Sequence, residues 1–346
     1  MRLSIVTDAW YPQINGVVTT LGAVVEWLRG EGHNIDVIEP GAFRTIPCPG
    51  YPEIRLALGT RALRGRLDRF APDRVHVVTE GPLGHAAIRH LRRRRWRHTT
   101  SFHTRFPEYI QARLPFIPLS WGYALLRRFH RGAAATLVPT AGMGRELTAR
   151  GFDHLVVWNR GVDTRVFSPD AAFETGLTRP IHLFVGRVSP EKNIEAFLDM
   201  DAAGTKVVVG DGPDRARLER AYPQAIFPGY RHGRELAGWF ASADVFVFPS
   251  RTDTYGVVML EAMACGTPVA AYPVTGPIDV VQQGVTGFLA LDLTQAAHDC
   301  LNLKPADCIA QAKASDWRAT ARFFLDHTVP INGAIPAEAP KAPADA

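Results

Sequence analysis

The sequence predicts an α/β protein made of two doubly wound, Rossmann-like domains whose parallel sheets face a central cleft. Three observations predict it. Short β-branched runs alternate with helical patterns, as in a parallel sheet covered on both faces. The series restarts once, after a polar stretch around Ser168–Pro180. The chain has 346 residues, 46% hydrophobic and 21% charged, the size and balance of two ordinary globular domains.

In the first series, strands are expected at Leu3–Thr7, Ile35–Ile38, Arg74–Val78, Thr99–His103, Thr136–Val138 and Leu155–Val157. Each is a short apolar, β-branched run bounded by turn residues. Helices are expected between them near Val17–Arg29, Leu83–Arg94, Leu119–Arg131 and Gly142–Ala149. The second series places strands at His182–Val185, Lys206–Val209, Ala225–Phe227, Val245–Phe248 and Val269–Ala271. Its helices fall near Ile194–Met200, Pro213–Ala221, Arg234–Ala241 and Val257–Ala264. The expected domains are therefore 1–172 and 173–313, joined by the polar stretch, with the ligand in the cleft between them. A helix over 314–328, with Trp317, Phe323, Phe324 and Leu325 to bury, is placed to return to the first domain. The Pro- and Ala-rich tail 329–346 has no apolar periodicity and is expected to be disordered.

Composition excludes several classes. No apolar run approaches the roughly 18 residues of a membrane span. The first strand turns polar at Thr7 and Asp8, too soon for a signal peptide. Cys48, Cys265, Cys300 and Cys308 are scattered without metal-ligand or disulfide spacing, so reduced thiols in the cytoplasm are expected. No carboxylate, His or Cys cluster suggests a metal. The net charge of +5 biases the chain mildly toward anionic partners.

Four segments carry chemistry. Ser250–Val269 begins where the Val245–Phe248 strand ends and opens a helix at Tyr255, Gly256 and Val257. Free backbone amides and the helix dipole there favour a phosphate. Asp253 precedes the helix and Glu261 lies about two turns in; an amphipathic crossover helix with an acidic cap is the structural alternative. In Phe184–Asn193 a strand ends at Gly186, placing Arg187 and Lys192 at the carboxyl edge of the sheet. Two fixed cations there can bind a diphosphate and stabilise charge growing on it; taken alone, they also read as solvated surface residues. Trp10–Val18 contains Asn15-Gly16 just before a helix, where Gly16 lets backbone approach a ligand, although an ordinary βα turn has the same form. In Ser101–Tyr109, His103 ends a strand; a core or capping histidine is the alternative.

These motifs resemble the family 4 retaining glycosyltransferases, which have the GT-B fold. The match runs in the family's order from residue 10 to about residue 276. It is nearest to the branch of GDP-mannose-dependent α-mannosyltransferases and diacylglycerol glycosyltransferases. The family pattern pairs two carboxylates ahead of Ala-Met-Ala-x-Gly-x-Pro-Val. The resemblance implies that Glu261 takes the donor ribose and Asp253 the donor hexose. It implies that Arg187 and Lys192 contact the pyrophosphate, that the Gly16 loop closes over it, and that His103 lies beside the transferred sugar. Retention without a placed nucleophile implies front-face substitution, in which the leaving phosphate takes the acceptor proton; Glu108 is a candidate for touching the acceptor. The chain departs from the family at Asp253, where Glu is usual. The side chain is one methylene shorter, so sugar or backbone must sit closer. Val208–Pro213 resembles the loop near the nucleotide base, and Arg160–Asp163 the element near the domain crossing; both also read as structural turns. No cofactor is implied, because the nucleotide sugar is itself the donor substrate.

Charge bears on the acceptor. Arg89–His98 holds six arginines and no acid. Near an anionic bilayer each such residue adds about 1 kcal/mol. Downstream, Leu114–Arg131 runs aromatics and leucines into Arg127, Arg128 and Arg131, which suits interfacial docking. Both lie in the first domain, the acceptor domain of the family, which favours a lipid acceptor and a peripheral place on the inner face of the cell membrane. A solvated helix end beside a core helix accounts for the same residues with a soluble saccharide acceptor. An NAD-dependent dehydrogenase is discounted because the first loop lacks Gly-x-Gly-x-x-Gly. A nucleic-acid binder lacks the interleaved aromatics. A non-catalytic sugar-nucleotide-binding protein or an epimerase of the same fold is separated from a transferase by assay.

Overall fold

The computed structural model describes residues 1–13, 15–48, 51–113 and 116–332. Leu114, Pro115 and the tail from 333, expected to be disordered, lie outside the described residues. The chain forms two compact units, one of Met1–Trp158 joined by the chain from Ala321 onward, the other of Asn159–Thr320.

The first unit runs β1 (Arg2–Val6), α1 (Gly16–Gly30), β2 (Asn34–Ile38), β3 (Arg44–Cys48), β4 (Tyr51–Leu58), α2 (Arg61–Phe70), β5 (Arg74–Val77), α3 (Pro82–Arg94), β6 (Thr99–Ser101), α4 (Phe106–Arg113), α5 (Leu119–His130), β7 (Thr136–Val138), α6 (Ala141–Ala149) and β8 (Leu155–Val157). Its parallel sheet has the order β2-β1-β5-β6-β7-β8, and β3 and β4 pair as a separate antiparallel hairpin. Leu3, Ile5, Val6, Val75 and Val77 are fully buried, as the near-continuous apolar strands of a two-sided sheet require. The strand expected to reach His103 stops at Ser101, two residues short.

The second unit runs β9 (Ile181–Val185), α7 (Ile194–Leu198), β10 (Thr205–Val209), α8 (Arg215–Ala221), β11 (Ile226–Gly229), α9 (Gly233–Ser242), β12 (Val245–Phe248), α10 (Val257–Ala264), β13 (Val269–Ala271), α11 (Pro277–Val280), β14 (Gly287–Leu289), α12 (Leu293–Cys300), α13 (Pro305–Ala314) and α14 (Trp317–His327). Its sheet order is β11-β10-β9-β12-β13-β14. The stretch 168–180, expected as a linker, belongs to this unit, so the division falls after Trp158 rather than at 172. Its composition is polar, but Ala171 and Leu177 pack against the core of the unit. The Phe173 ring meets Trp239 edge-on with centroids 5.1 Å apart, and the Phe173 backbone bonds Ser242 Oγ both ways at 3.0 Å.

The unit boundary falls within α14, whose second half belongs to the first unit. Phe324 is fully buried there, and Arg74 Nη1 donates to the carbonyls of Leu325 and Thr328 at 2.7 Å each. The first tail residues are not loose either. Ile331 N donates to Asp73 O at 2.9 Å, and Arg97 N donates to Ile331 O at 3.0 Å. Apolar periodicity is blind to such backbone pairing. Among the described residues no helix is long and apolar enough to cross a membrane.

Candidate active site

In an open parallel sheet, ligands bind at the carboxyl ends of the strands where strand order reverses. In the second unit the chain steps outward from β9 to β10 and β11, then returns to the other side of β9 as β12. The loops after β9 and β12 therefore leave side by side, and they hold the two strongest motifs. They are tied together: Asn193 Nδ2 donates to Pro249 O at 3.1 Å, and Ser250 Oγ to Glu191 O at 3.5 Å.

Lys192 closes a single 3-10 turn, Pro190–Lys192. Its Nζ donates to both carboxylate oxygens of Asp253, at 2.6 and 2.8 Å. The residues assigned to separate parts of a donor are thus an ion pair, with both side chains about four-fifths buried, at 21% and 18% exposure. Arg187 follows Gly186 at the strand end and is half-buried. The neighbouring Gly-Asp-Gly turn packs backbone to backbone on this loop. A Cβ on Gly210 would lie 1.8 Å from Gly186 O, and one on Gly212 2.3 Å from Val188 O. Those glycines are required by this close approach.

Gly256 caps α10 with φ +82°, a conformation few other residues adopt, and Val257 is the first helical residue. Glu261, five residues on, is 9% exposed. Burial alone lifts its carboxyl to about 7, with no opposing cation or donor among the described residues. Such a carboxylate has unspent capacity for ligand hydroxyls. Tyr255 departs from expectation. Its ring lies in the core of the unit beside Phe248 and Met259, so only its backbone remains for a donor. Arg160–Asp163 is structural: a Cβ on Gly161 would lie 2.8 Å from the Trp317 ring, and Val162 N bonds Ser315 O at 3.0 Å.

In the first unit strand order reverses between β1 and β5. Asp8, which the motifs did not single out, fills that position. Its carboxylate accepts from Thr79 Oγ1 at 2.9 Å, Leu83 N at 2.9 Å and Gly84 N at 3.3 Å, capping α3. Burial nonetheless raises its carboxyl above the usual range. An acid at the end of a buried strand was the signal for it. Asn15 Oδ1 caps α1 by accepting from Val17 N and Val18 N at 3.0 and 3.1 Å, so these amides already have a partner. Gly16 is exposed, with nothing within 4 Å of an added Cβ; protein packing gives no reason for a glycine there. His103 is half-buried, and its Nε2 lies 2.8 Å from Ser101 Oγ. Glu108 is engaged within the unit, accepting from Tyr123 Oη at 2.6 Å and from Arg105 at 3.5 Å.

The basic and aromatic segments divide. Arg92 Nη2 donates to the carbonyls of Arg128 and Arg131, both at 3.1 Å, closing the end of α5. Arg94 pairs with Asp68 at 2.8 Å. Arg93, Arg95, Arg128 and Arg131 are exposed. Phe116 is 79% exposed, Trp121 71% and Leu125 58%. Trp121 and Leu125 stand one turn apart on the outer face of α5, while Tyr123, Leu126 and Phe129 bury the inner face.

Comparison with known proteins agrees with this architecture. Residues 14–166 match the family model described as Glycosyltransferase Family 4, and residues 179–303 that described as Glycosyl transferases group 1. The GDP-mannose-dependent alpha-mannosyltransferase of Mycobacterium tuberculosis is 35% identical over 84% of this chain and 83% of its own length. The alpha-monoglucosyldiacylglycerol synthase of Streptococcus pneumoniae is 26% identical over 79% of this chain and 71% of its own. The crystal structure of Anabaena HepE in complex with UDP and glucose superposes with a TM-score of 0.70, at 16% identity, over 94% of this chain and 98% of that one. Two parallel-sheet α/β units in this order are the GT-B fold, and the chain belongs to glycosyltransferase family 4.

Proposed function

We propose that the protein is a retaining, metal-independent hexosyltransferase that carries a hexose from GDP-mannose or a UDP-hexose to a membrane lipid, acting peripherally on the cytoplasmic face in glycolipid synthesis. The observation that carries the donor half is the Lys192–Asp253 pair between the adjacent β9 and β12 loops, with Arg187 on the first loop and Glu261 in the helix that follows the second. Arg187 and Lys192 hold the diphosphate and stabilise the charge that grows as the glycosidic bond breaks. Glu261 accepts the ribose hydroxyls, Asp253 the hexose hydroxyls, and the amides of Gly256 and Val257 at the start of α10 face phosphate. His103 stands beside the transferred sugar, and the leaving phosphate takes the acceptor proton. With two side-chain cations for the diphosphate, no metal is assigned a role. Turnover that survives EDTA supports this, and loss that magnesium restores overturns it.

The lipid half rests on three exposed apolar side chains, Phe116 and the α5 residues Trp121 and Leu125, with Arg128 exposed on the same helix. A soluble saccharide acceptor is the second reading, favoured by Arg92 and Arg94 being satisfied within the protein. Purified protein incubated with labelled GDP-mannose, UDP-glucose and UDP-galactose, on diacylglycerol vesicles or on soluble sugars, decides between them. Donor consumption without either acceptor points to an epimerase, and nucleotide binding without turnover to a non-catalytic protein.

A further inference from the structure

His103 belongs to a chain of side chains that the sequence motifs do not contain. His76 on β5 sits opposite Thr99 on β6 in the sheet register. Alternation along a strand puts Thr99 and Ser101 on one face, where the His76 ring spans them. His76 Nδ1 is 2.8 Å from Thr99 Oγ1, and Nε2 is 3.1 Å from Ser101 Oγ. Ser101 Oγ is in turn 2.8 Å from His103 Nε2. A second, apolar path closes the loop. The Phe324 ring of α14 lies 4.8 Å from His76 and 5.0 Å from Trp158, and the Trp158 ring stands 6.2 Å from His103 at 77°. His76, Thr99, Ser101, Trp158 and Phe324 are all essentially inaccessible to solvent.

We infer that Ser101 and His76 are positioning residues for His103, fixing its ring plane toward the sugar and coupling its tautomer to that of the buried His76 ring. The inference rests on the role proposed above for His103 and adds the groups that act through it.

Counting protons gives the reason. Burial, aided by the nearby charges of His98 and His130, pushes the His76 imidazole down to about 3, so near neutral pH it carries one N–H. A neutral imidazole offers one donor and one acceptor, and a serine hydroxyl has one proton. If His76 Nδ1–H donates to Thr99 Oγ1, its Nε2 accepts from the Ser101 hydroxyl, and Ser101 Oγ accepts from His103 Nε2–H. If His76 donates to Ser101 instead, Ser101 donates to His103 Nε2. The other acceptor near Ser101, Val78 O, is 3.4 Å away and competes poorly. Either direction couples the tautomer of His103 to a buried ring that does not titrate near neutrality. A histidine held only by solvent has no such constraint.

The test uses the full chain labelled with 15N-histidine. Long-range proton–nitrogen spectra of the wild type should show the two rings paired, His76 Nδ1–H with His103 Nε2–H or His76 Nε2–H with His103 Nδ1–H, and Ser101→Ala should change the His103 pattern and break that pairing. With GDP-mannose, or whichever donor in the panel turns over, Ser101→Ala should lower kcat by about 10- to 100-fold. KM for the donor and the Kd of the bare nucleotide should not move. Ser101→Thr, which keeps the hydroxyl, should recover most of the loss. Introduced into His103→Ala, Ser101→Ala should cost nothing further. An unchanged His103 spectrum in Ser101→Ala, or losses that multiply in the double variant, overturns the inference. Thermal melting separates either result from misfolding. If His103→Ala alone keeps full turnover, the proposed role of His103 fails, while the spectra still decide whether Ser101 positions it.

Discussion

Lys192 Nζ sits 2.6 Å from Oδ1 and 2.8 Å from Oδ2 of Asp253, a two-pronged ion pair between the loops that follow β9 and β12. Family resemblance gives the cation to a phosphate and the carboxylate to a sugar. The structure gives each to the other, which spares two partly buried charges from standing uncompensated. A donor that brings a diphosphate and a hexose offers a new partner to each charge at once. The shorter Asp253 side chain is long enough for this contact.

Lys192→Ala and Arg187→Ala should each lower kcat by about 10²–10³-fold, the usual loss of a preorganised transition-state charge. Lys192→Ala should also lower Tm, because Asp253 is left without its cation. Adding Asp253→Asn should recover the Tm but not the rate. Near-normal kcat in both single variants would remove the donor assignment, and an unchanged Tm in Lys192→Ala would show that the pair contributes nothing to stability.

Glu261 ties stability to pH with a definite sign. Its carboxyl is raised by burial from 4.5 to about 7, so between those values the folded chain holds a proton that the unfolded chain has released. Stability therefore falls as pH rises through this window, and the full penalty, on the order of 3 kcal/mol, stands above it. Glu261→Gln should melt higher than wild type at pH 8, with the gain fading toward pH 4. The same variant should bind nucleoside diphosphate more weakly, since ribose hydroxyls donate to the ionised form. In the wild type, nucleotide affinity should weaken as pH drops below about 7. Calorimetry and melting curves across pH check both signs; a lower Tm for Glu261→Gln at pH 8 contradicts the assignment of an unpaired buried carboxylate.

Gly256→Ala should be more disruptive than its size suggests. The residue holds φ +82°, and an added Cβ would come within 2.8 Å of Met259 Cε and 3.0 Å of Phe248 Cζ. The backbone term alone is about 1–2 kcal/mol. Lower thermal stability should be joined by weaker nucleotide binding, because the amides that open α10 must shift. Equal stability with unchanged Kd would show that the helix start is not where phosphate binds.

Much of this was legible because the strands alternate cleanly with helices and the motifs sit where strands end. Val245–Phe248 and Val269–Ala271 were read to the residue, since a fully apolar run bounded by turn residues leaves little choice. What escaped was long-range. The β3–β4 hairpin carries Pro47 and Pro52 and has no clear alternation, so only its pairing reveals it. Tyr255 looked like a ligand residue by motif and is a core residue by burial. His76 lay inside an ordinary-looking strand, and nothing local connects it to Ser101, 25 residues away. Arg92 read as one of a solvated run until its bonds to Arg128 and Arg131 carbonyls placed it at a helix end.

That last point sharpens the membrane prediction. If α5 docks on an anionic bilayer, the attachment has two separable parts. Arg93, Arg95, Arg128 and Arg131 supply an electrostatic part, screened over a Debye length of about 10 Å at 0.1 M salt. Phe116, Trp121 and Leu125, each more than half exposed, supply a part that salt does not remove. Co-sedimentation with vesicles should therefore need anionic lipid, fall at high salt, and fall further in Trp121→Ala with Leu125→Ala. Changing Arg93, Arg95, Arg128 and Arg131 to glutamine should reduce binding without lowering Tm. Arg92→Gln should instead lower Tm, because two carbonyls at the end of α5 lose their donor. Should the protein stay in the supernatant at every lipid composition while turning over a soluble saccharide, these exposed side chains are not a docking face. The acceptor then changes from lipid to saccharide, and the donor site around Lys192 and Asp253 stands as described.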